Sequence, residues 1–172
     1  NRSTHTVEQL LTLARIEANK QTLQRESIDM VALAQEVVAN LFPLALDKQQ
    51  DIELLYTQET VLYTGNRLLL SILLRNLLSN AIYYSPMHAQ ISVKVEALNN
   101  GVLWAVYDSG QGVPAEDIPR LMQRFYRHQQ SKDSAGTGLG LSIVQKVVEL
   151  HQGKVNIYNQ KTGGLAVEVV LS

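Results

Sequence analysis

The order of the hydrophobic patterns along the chain constrains its fold more than any other feature. Helical periodicity and strand-like alternation follow one another in mixed order, without the regular strand–helix–strand repeat that builds parallel sheets. A strong helical pattern covers residues 67–84, and hairpins are expected around residues 99–101 and through Gly163 and Gly164. This order predicts an α+β fold, a two-layer sandwich in which helices cover one face of a mixed sheet.

Turn and capping residues mark the other elements. Asp29 should cap a helix that carries an apolar stripe, and Pro43 should kink or end that helix because proline removes a backbone donor. Further helices are expected near residues 118–125 and at residues 142–151. Further strands are expected at residues 23–28, 52–56, 60–63, 90–97, 102–107, 154–158 and 165–171.

The first helical pattern, at residues 6–20, is strongly amphipathic. Its apolar residues recur at helical spacing and are Val7, Leu10, Leu11, Leu13, Ala14 and Ile16. An isolated helix of this length is marginal in water, so this one needs a partner. We expect residues 1–22 to be the end of a helical hairpin or coiled coil from a longer protein, followed by one domain over residues 23–172. The alternative is a helix docked on its own domain.

Composition excludes several classes of function. Lys and Arg number 15 against 16 Asp and Glu, so the net charge of -1 offers no global field that would attract nucleic acid or an anionic membrane. Cysteine is absent, which excludes thiol catalysis, disulfides and cysteine-based zinc sites. The 4 histidines are scattered and do not suggest a histidine-only metal cluster. Any anionic ligand must therefore be bound by a local set of residues.

A glycine-rich loop runs directly into the predicted helix at residues 142–151. Its residues are Gly136, Thr137, Gly138, Leu139, Gly140 and Leu141. Glycines let the backbone approach a ligand closely, and a helix N-terminus favours negative charge, so this loop would suit phosphate. It lacks the Gly-Lys-Ser/Thr ending of a Walker A loop and the spacing of a dinucleotide fingerprint. A flexible hinge is the alternative interpretation.

A second candidate begins with Asp108, at the end of a predicted strand. A carboxylate in this place can accept a hydrogen bond from an exocyclic amine, and Gly110 and Gly112 would let a flat base lie against the backbone. An ordinary Asp-Ser-Gly turn is the alternative.

A third candidate is the pair Asn76 and Asn80. Residues four apart share one face of a helix, so both amides should point into the same space. Magnesium prefers oxygen ligands and keeps several waters, so two amide oxygens plus ligand phosphates would suffice to bind it. The alternative is two polar positions on a solvated stripe.

Four motifs, in this order, resemble those of bacterial sensor histidine kinases. Residues 75–86 resemble the N box, residues 108–113 the first glycine box, residues 124–127 the F box, and residues 136–141 the second glycine box. The similarity extends from about residue 23 onward, and residues 10–17 resemble the end of the second helix of the family's dimerisation hairpin. The resemblance implies the Bergerat-type ATP-binding fold of the GHKL superfamily.

The resemblance also implies a role for each matching residue. Asn80 would hold magnesium with help from Asn76, Asp108 would bind the adenine amine, and Tyr84 would lie against the base. Gly110 and Gly112 would shape the adenine pocket. Residues from Val113 to Thr137 would form a lid over ATP, anchored by Phe125, with Arg124 and Arg127 near the phosphates. The triphosphate would be wrapped by Gly136, Thr137, Gly138, Leu139, Gly140 and Leu141. Arg120, Arg124, Arg127 and Lys132 would then face a polyanion, although such a run is usually only a solvated face.

Two departures from the family pattern matter. Tyr83 stands where the family commonly has Lys or Arg, which puts a phosphate contact in doubt. No segment resembles the H box, so none of the four histidines, His5, His88, His128 and His151, is a candidate phosphoacceptor. No catalytic residue is therefore assigned, and the phosphoacceptor is expected upstream.

Taken together, the resemblance implies the catalytic domain of a two-component sensor histidine kinase, with ATP and Mg²⁺ as cofactors. The complete enzyme would transfer the γ-phosphoryl to a histidine on its dimerisation domain and then to an aspartate of a response regulator receiver domain. It would be a homodimer that binds no nucleic acid. This chain would be the cytoplasmic domain of a bacterial inner-membrane sensor and would not phosphorylate itself.

Two alternatives remain from the sequence. An ATP hydrolase of the chaperone, mismatch-repair or gyrase kind would carry Glu four residues before the metal-binding Asn, where this chain has Asn76. A non-catalytic regulatory module that binds nucleotide or a partner is favoured only by Tyr83.

Overall fold

The computed structural model describes residues 2–18, 24–121 and 140–172. Within these residues there are four α-helices, seven β-strands and one 3₁₀ helix. The helices are α1 (Arg2–Ala18), α2 (Met30–Asp47), α3 (Arg67–Tyr84) and α4 (Gly140–Leu150), with the 3₁₀ helix at Ala115–Arg120. The strands are β1 (Glu26–Asp29), β2 (Asp51–Tyr56), β3 (Leu62–Gly65), β4 (Gln90–Leu98), β5 (Gly101–Asp108), β6 (Lys154–Asn159) and β7 (Leu165–Leu171).

Five of these strands form a mixed sheet in the order β2-β4-β5-β7-β6. β2 runs parallel to β4, whereas the other neighbours are antiparallel. β4–β5 and β6–β7 are the two predicted hairpins. The predicted α+β sandwich with a mixed sheet is therefore confirmed.

Alternation along the strands directs one face of the sheet toward the helices. In β4, Ile91, Val93 and Val95 are buried, while Ser92 and Lys94 between them are partly exposed. The helices cover the buried face with apolar residues at helical spacing, which in α3 include Leu70, Leu73, Leu74, Leu77 and Leu78. Burial of one such leucine is worth about 1.5–3 kcal/mol, so this face holds α3 firmly on the sheet.

The two remaining strands form a separate antiparallel pair, β1–β3. The sequence predicted both strands but gave no sign of their pairing. Asp29, at the end of β1, caps α2 as predicted: its Oδ1 accepts the N–H groups of Val31 (3.1 Å) and Ala32 (3.4 Å). The small sheet therefore fixes the start of α2.

Pro43 is expected to kink or end its helix; the end is wrong, because α2 continues to Asp47, and the kink stays a prediction. Pro43 and Ala39 both lie on the exposed side, so the carbonyl that loses its donor faces solvent. Leu41 and Ala45 keep the opposite side in the core. α2 is long and apolar enough to cross a membrane, but this is weak evidence because its apolar side lies within the protein.

α1 packs on α4 through Leu13 and Ile16, which are buried. Val7, Leu10 and Leu11 are exposed on the same helix. The helix thus contacts its own domain and leaves a second apolar face exposed, and the assignment of residues 1–22 to the end of a helical hairpin stays a prediction. The division at residues 22 and 23 stays a prediction, because residues 19–23 lie outside the described part.

The short helix expected near residues 118–125 begins earlier than predicted. The 3₁₀ helix occupies Ala115–Arg120, and its first turn is closed by the N–H of Asp117, which donates to the carbonyl of Pro114 at 2.9 Å. Pro114 has a fixed φ and lies directly before this turn, which suits it to start a helix. Residues 122–125 lie outside the described residues.

Candidate functional site

Asp108 ends β5 and is held by two backbone groups. Its Oδ1 accepts the N–H of Gly110 at 2.9 Å and the N–H of Leu165 at 3.1 Å. Burial raises the pKa of Asp108 above its usual value, although both hydrogen bonds act in the opposite direction. Both bonds use Oδ1. Within the described residues Oδ2 has no such bond, so it is the oxygen available to a ligand amine.

Gly110 lies between Asp108 and the end of α3. A Cβ on Gly110 would lie 3.2 Å from Oδ1 of Asp108 and 3.5 Å from Cδ of Pro86. The small residue therefore allows the first glycine box to pack against the end of the N box. Tyr84, in the last turn of α3, is 40% exposed and available to a ligand. The structure thus brings together the end of α3 and the turn after β5.

The β6–β7 hairpin forms a wall behind Asp108, which the sequence did not predict. The side chain of Asn159 accepts the N–H of Val113 at 3.0 Å and donates to the carbonyl of Val113 at 2.6 Å. Gln160 donates from Nε2 to the carbonyl of Asp108 at 2.9 Å. These contacts fix the backbone on both sides of the first glycine box.

Glycines at two positions make this close approach possible. Gly112 has φ of 72°, and a Cβ there would collide with the side chain of Asn159. Gly164 has φ of 90°, and a Cβ there would collide with the carbonyl of Asp108. The sequence predicts only a hairpin turn at Gly163 and Gly164. This glycine pair is the sequence signal that could have placed the hairpin beside Asp108.

Asn76 and Asn80 share one face of α3, as predicted, and the N-terminus of α4 lies against them. A Cβ on Gly140 would lie 3.1 Å from Nδ2 of Asn80 and 3.2 Å from Oδ1 of Asn76. Nδ2 of Asn76 donates to the carbonyl of Ile72 at 2.8 Å, which turns its Oδ1 toward Gly140. Leu141 is half-buried in the first turn of α4.

The donor atoms of this pair are suitable for magnesium. Both asparagines offer neutral amide oxygens and are half-buried, so a cation here would need the negative charge of a ligand. The described residues contain no group of three or more His, Asp or Glu side chains that could hold a metal alone. A cation that arrives with phosphates fits this arrangement better than a resident one.

Several predicted site residues lie outside the described part of the chain. These are Arg124, Arg127, Gly136, Thr137, Gly138 and Leu139, together with Phe125 and Lys132 of the expected lid. Their roles stay predictions. Tyr83, the departure from the family pattern, is half-buried in the last turn of α3.

The fold and this site define an ATP-binding domain, and the chain belongs to the family of histidine kinase-, DNA gyrase B- and HSP90-like ATPases, whose family model matches residues 65–172. Its relatives narrow the class to the catalytic domain of sensor histidine kinases. The sensor protein kinase PmrB of Pseudomonas aeruginosa is 37% identical over 166 residues, which cover 96% of this chain and 34% of PmrB. The sensor protein QseC of Escherichia coli K12 is 37% identical over 169 residues, which cover 98% of this chain and 36% of QseC.

A solved structure agrees with both relatives. The cytoplasmic segment of the histidine kinase QseC has a TM-score of 0.67 and 31% identity, covering 99% of this chain and 93% of that structure. The chain spans about a third of the length of the curated relatives it matches, 34% and 36%.

Proposed function

We propose that this domain binds ATP with its adenine beside Asp108 and Tyr84 and its triphosphate between Asn80 and the N-terminus of α4. The geometry of Asp108 carries the proposal: one oxygen is held by two backbone groups, and the other is free to accept a bond from the adenine amine. A helix N-terminus that begins with Gly140 supports the phosphate end, since it offers backbone N–H groups to an anion.

Asn80 would hold Mg²⁺ at the phosphates, and Asn76 would assist. The ion would supply positive charge to the triphosphate, which the two neutral amides cannot do. Gly140 supports this placement, because its missing side chain leaves room beside both amides.

The complete protein would be a two-component sensor kinase. The γ-phosphoryl of ATP would pass to a histidine of a dimerisation domain, so that this domain becomes phosphorylated. From there it would pass to an aspartate of a response regulator. The domain would lie in the cytoplasm, below a sensor in the bacterial inner membrane. The relatives named sensor proteins support this view, and they are about three times as long as the matching segment.

The environments of His151 and His88 support a phosphoacceptor elsewhere in the complete protein. His151 is fully buried, its Nδ1 lies 2.8 Å from the carbonyl of Val147, and its Nε2 accepts the N–H of Asn66 at 3.1 Å. Both ring nitrogens are engaged, so His151 offers no nucleophile to ATP. His88 is exposed but lies outside any H-box context.

The test combines this chain with a fragment that bears a histidine kinase dimerisation helix pair, using γ-labelled ATP. Label should appear on the fragment and not on the chain alone, and an Asn80→Ala variant should lose this transfer. An exposed-site control, Gln145→Ala in α4, should keep it. If ATP binds but neither a cognate nor a related fragment is labelled, the proposed phosphoryl transfer is wrong.

Steady hydrolysis of ATP should be negligible, because Asn76 cannot act as the general base that hydrolases of this superfamily use. Phosphate release by the isolated chain measures this directly. Rapid turnover that Asn76→Ala abolishes would instead favour the hydrolase.

A further inference from the structure

Two side chains from the turn between α2 and β2 bind the C-terminal end of α3. Nζ of Lys48 donates to three carbonyls, those of Ile82 at 2.8 Å, Tyr83 at 3.2 Å and Ser85 at 2.6 Å. An ammonium group has three hydrogens, so all of them are used on this helix end. None is left for a ligand.

Gln50 binds the same helix end from a fully enclosed position. It is 3% exposed, and its Nε2 lies within hydrogen-bonding distance of the carbonyls of Ile82 (3.1 Å), Ser85 (3.2 Å) and Pro86 (3.1 Å). Its amide has two hydrogens for three acceptors, so one bond is shared. The backbone from the last turn of α3 to Pro86 is therefore held at four carbonyls, those of Ile82, Tyr83, Ser85 and Pro86.

This arrangement is more than an ordinary helix cap. The last carbonyls of a helix have no partner within it, and water could satisfy them at an exposed end. Lys48 is instead half-buried, and burial lowers the pKa of its ammonium group. A positive charge also complements the helix C-terminus. Burying that charge has a cost, which indicates that the position of this helix end matters.

The bound segment carries one side of the candidate adenine pocket. Tyr84 lies between the carbonyls of Tyr83 and Ser85 that Lys48 holds, and Cδ of Pro86 lies against Gly110. Any shift of this segment would therefore move Tyr84 and alter the space beside Asp108.

We propose that Lys48 and Gln50 are positioning residues that set the adenine side of the nucleotide site by fixing the end of α3. This inference rests on the proposed ATP site. Neither residue contacts the nucleotide, and Lys48 makes no phosphate contact.

The test is the Lys48→Met variant of this chain, which keeps much of the side-chain volume and removes the three donors. Dissociation constants are measured for ATP, for adenosine and for inorganic triphosphate at a temperature where both proteins are folded. Affinity for ATP and for adenosine should fall by the same factor, about ten-fold, and affinity for triphosphate should not change. Lys48→Arg should recover part of the loss. Lys94→Met, on the opposite face of the sheet, is the matched control and should change nothing.

Two results would overturn the inference. One is a lower melting temperature of Lys48→Met with unchanged affinity for adenosine, which would mean a purely structural cap. The other is an equal loss for triphosphate, which would mean a phosphate contact. Should Lys48→Met not fold, Gln50→Met removes the amide group of Gln50, including its donors, and is held to the same expectations. Absence of ATP binding by the parent chain would instead refute the proposed function.

Discussion

Asp108 uses Oδ1 for two backbone N–H groups and leaves Oδ2 for the proposed adenine contact, which a single substitution can test. Asn in its place would keep Oδ1 for Gly110 and Leu165 and turn its amide NH2 group toward the ligand. Two donors would then face each other at the adenine amine. A hydrogen bond to a charged group is worth about 1.5–3 kcal/mol, so Asp108→Asn should weaken ATP binding roughly ten- to a hundred-fold.

Inosine triphosphate makes this test specific, because it presents a carbonyl where adenine has an amine. The Asp108→Asn variant should lose affinity for ATP and gain relative affinity for ITP, as measured by calorimetry. Stability should not fall, since Oδ1 of Asn keeps both backbone hydrogen bonds and the group whose burial raises the pKa of Asp108 is replaced by a neutral amide. Glu53→Gln, on the outer face of the sheet, serves as the control. An unchanged ATP to ITP ratio would contradict the assigned adenine contact.

A substitution at Gly140 can test the proposed phosphate end of the site independently of the proposed adenine end. In Gly140→Ala the new methyl group would lie 3.1–3.2 Å from the amides of Asn76 and Asn80 and push them aside. Overpacking of this kind costs about 1–3 kcal/mol, so affinity for Mg-ATP should fall about five-fold or more. Affinity for adenosine should stay the same, which nucleotide titrations can show. An equal loss for both ligands would mean a general distortion of the domain.

At the scale of elements, α1 joins the domain through a narrow contact. Leu13 is 1% exposed against the domain, whereas Leu11 is 52% exposed. Truncation of a buried leucine to alanine costs about 2–5 kcal/mol, so Leu13→Ala should lower the melting temperature by roughly 5–10 °C. Leu11→Ala should leave it unchanged. Equal melting curves of the two variants in a thermal scan would show that α1 does not dock on α4 in solution.

The elements that sequence predicts well are those whose signals are local. α3 has the predicted bounds, because Asn66 caps its start by accepting the N–H of Leu69 at 3.0 Å, and Pro86 follows its end. The helical spacing of Asn76 and Asn80 likewise placed both amides on one face. These features depend on residues within one or two turns of each other.

The features that sequence did not predict depend on contacts between distant segments. Lys48 reaches α3 across 34 to 37 positions, and Asn159 reaches Val113 across 46. Neither residue has a distinctive neighbour, so only the packing of the sheet and helices makes its partner evident. The pairing of β1 with β3 was missed for the same reason.

At the scale of the whole molecule, His151 connects two helices and makes stability depend on pH. It joins the end of α4 to the backbone of Asn66, beside the ring of Tyr63 at 6.1 Å between centroids. Burial lowers the pKa of His151, and nearby Arg25 acts in the same direction. The unfolded chain binds a proton below about pH 6.5, whereas the folded chain resists it, so the free energy of unfolding should fall as pH drops below that value.

Urea titrations between pH 7.5 and 5 can measure this loss, which cannot exceed about 1.4 kcal/mol per pH unit from one group. His151→Gln can keep one donor and one acceptor without titrating, so its stability should depend less on pH in this range. The exposed His88 offers the control, and His88→Gln should behave like the parent. Identical pH profiles for both variants would contradict the assignment.

The bond between Asp108 and Leu165 has a consequence for the order in which the site forms during synthesis. The two residues are 57 positions apart, and β7 lies between β5 and β6 in the sheet. A nascent chain that has exposed β5 but not yet β7 lacks one of the two strands that pair with β5. It also lacks the Leu165 N–H group, which helps to orient the carboxylate of Asp108. In the proposed site, nucleotide would be recognised only after β7 has left the ribosome. A ribosome-bound intermediate without β7 would therefore not bind ATP, and ATP binding would indicate that β7 has paired with β5.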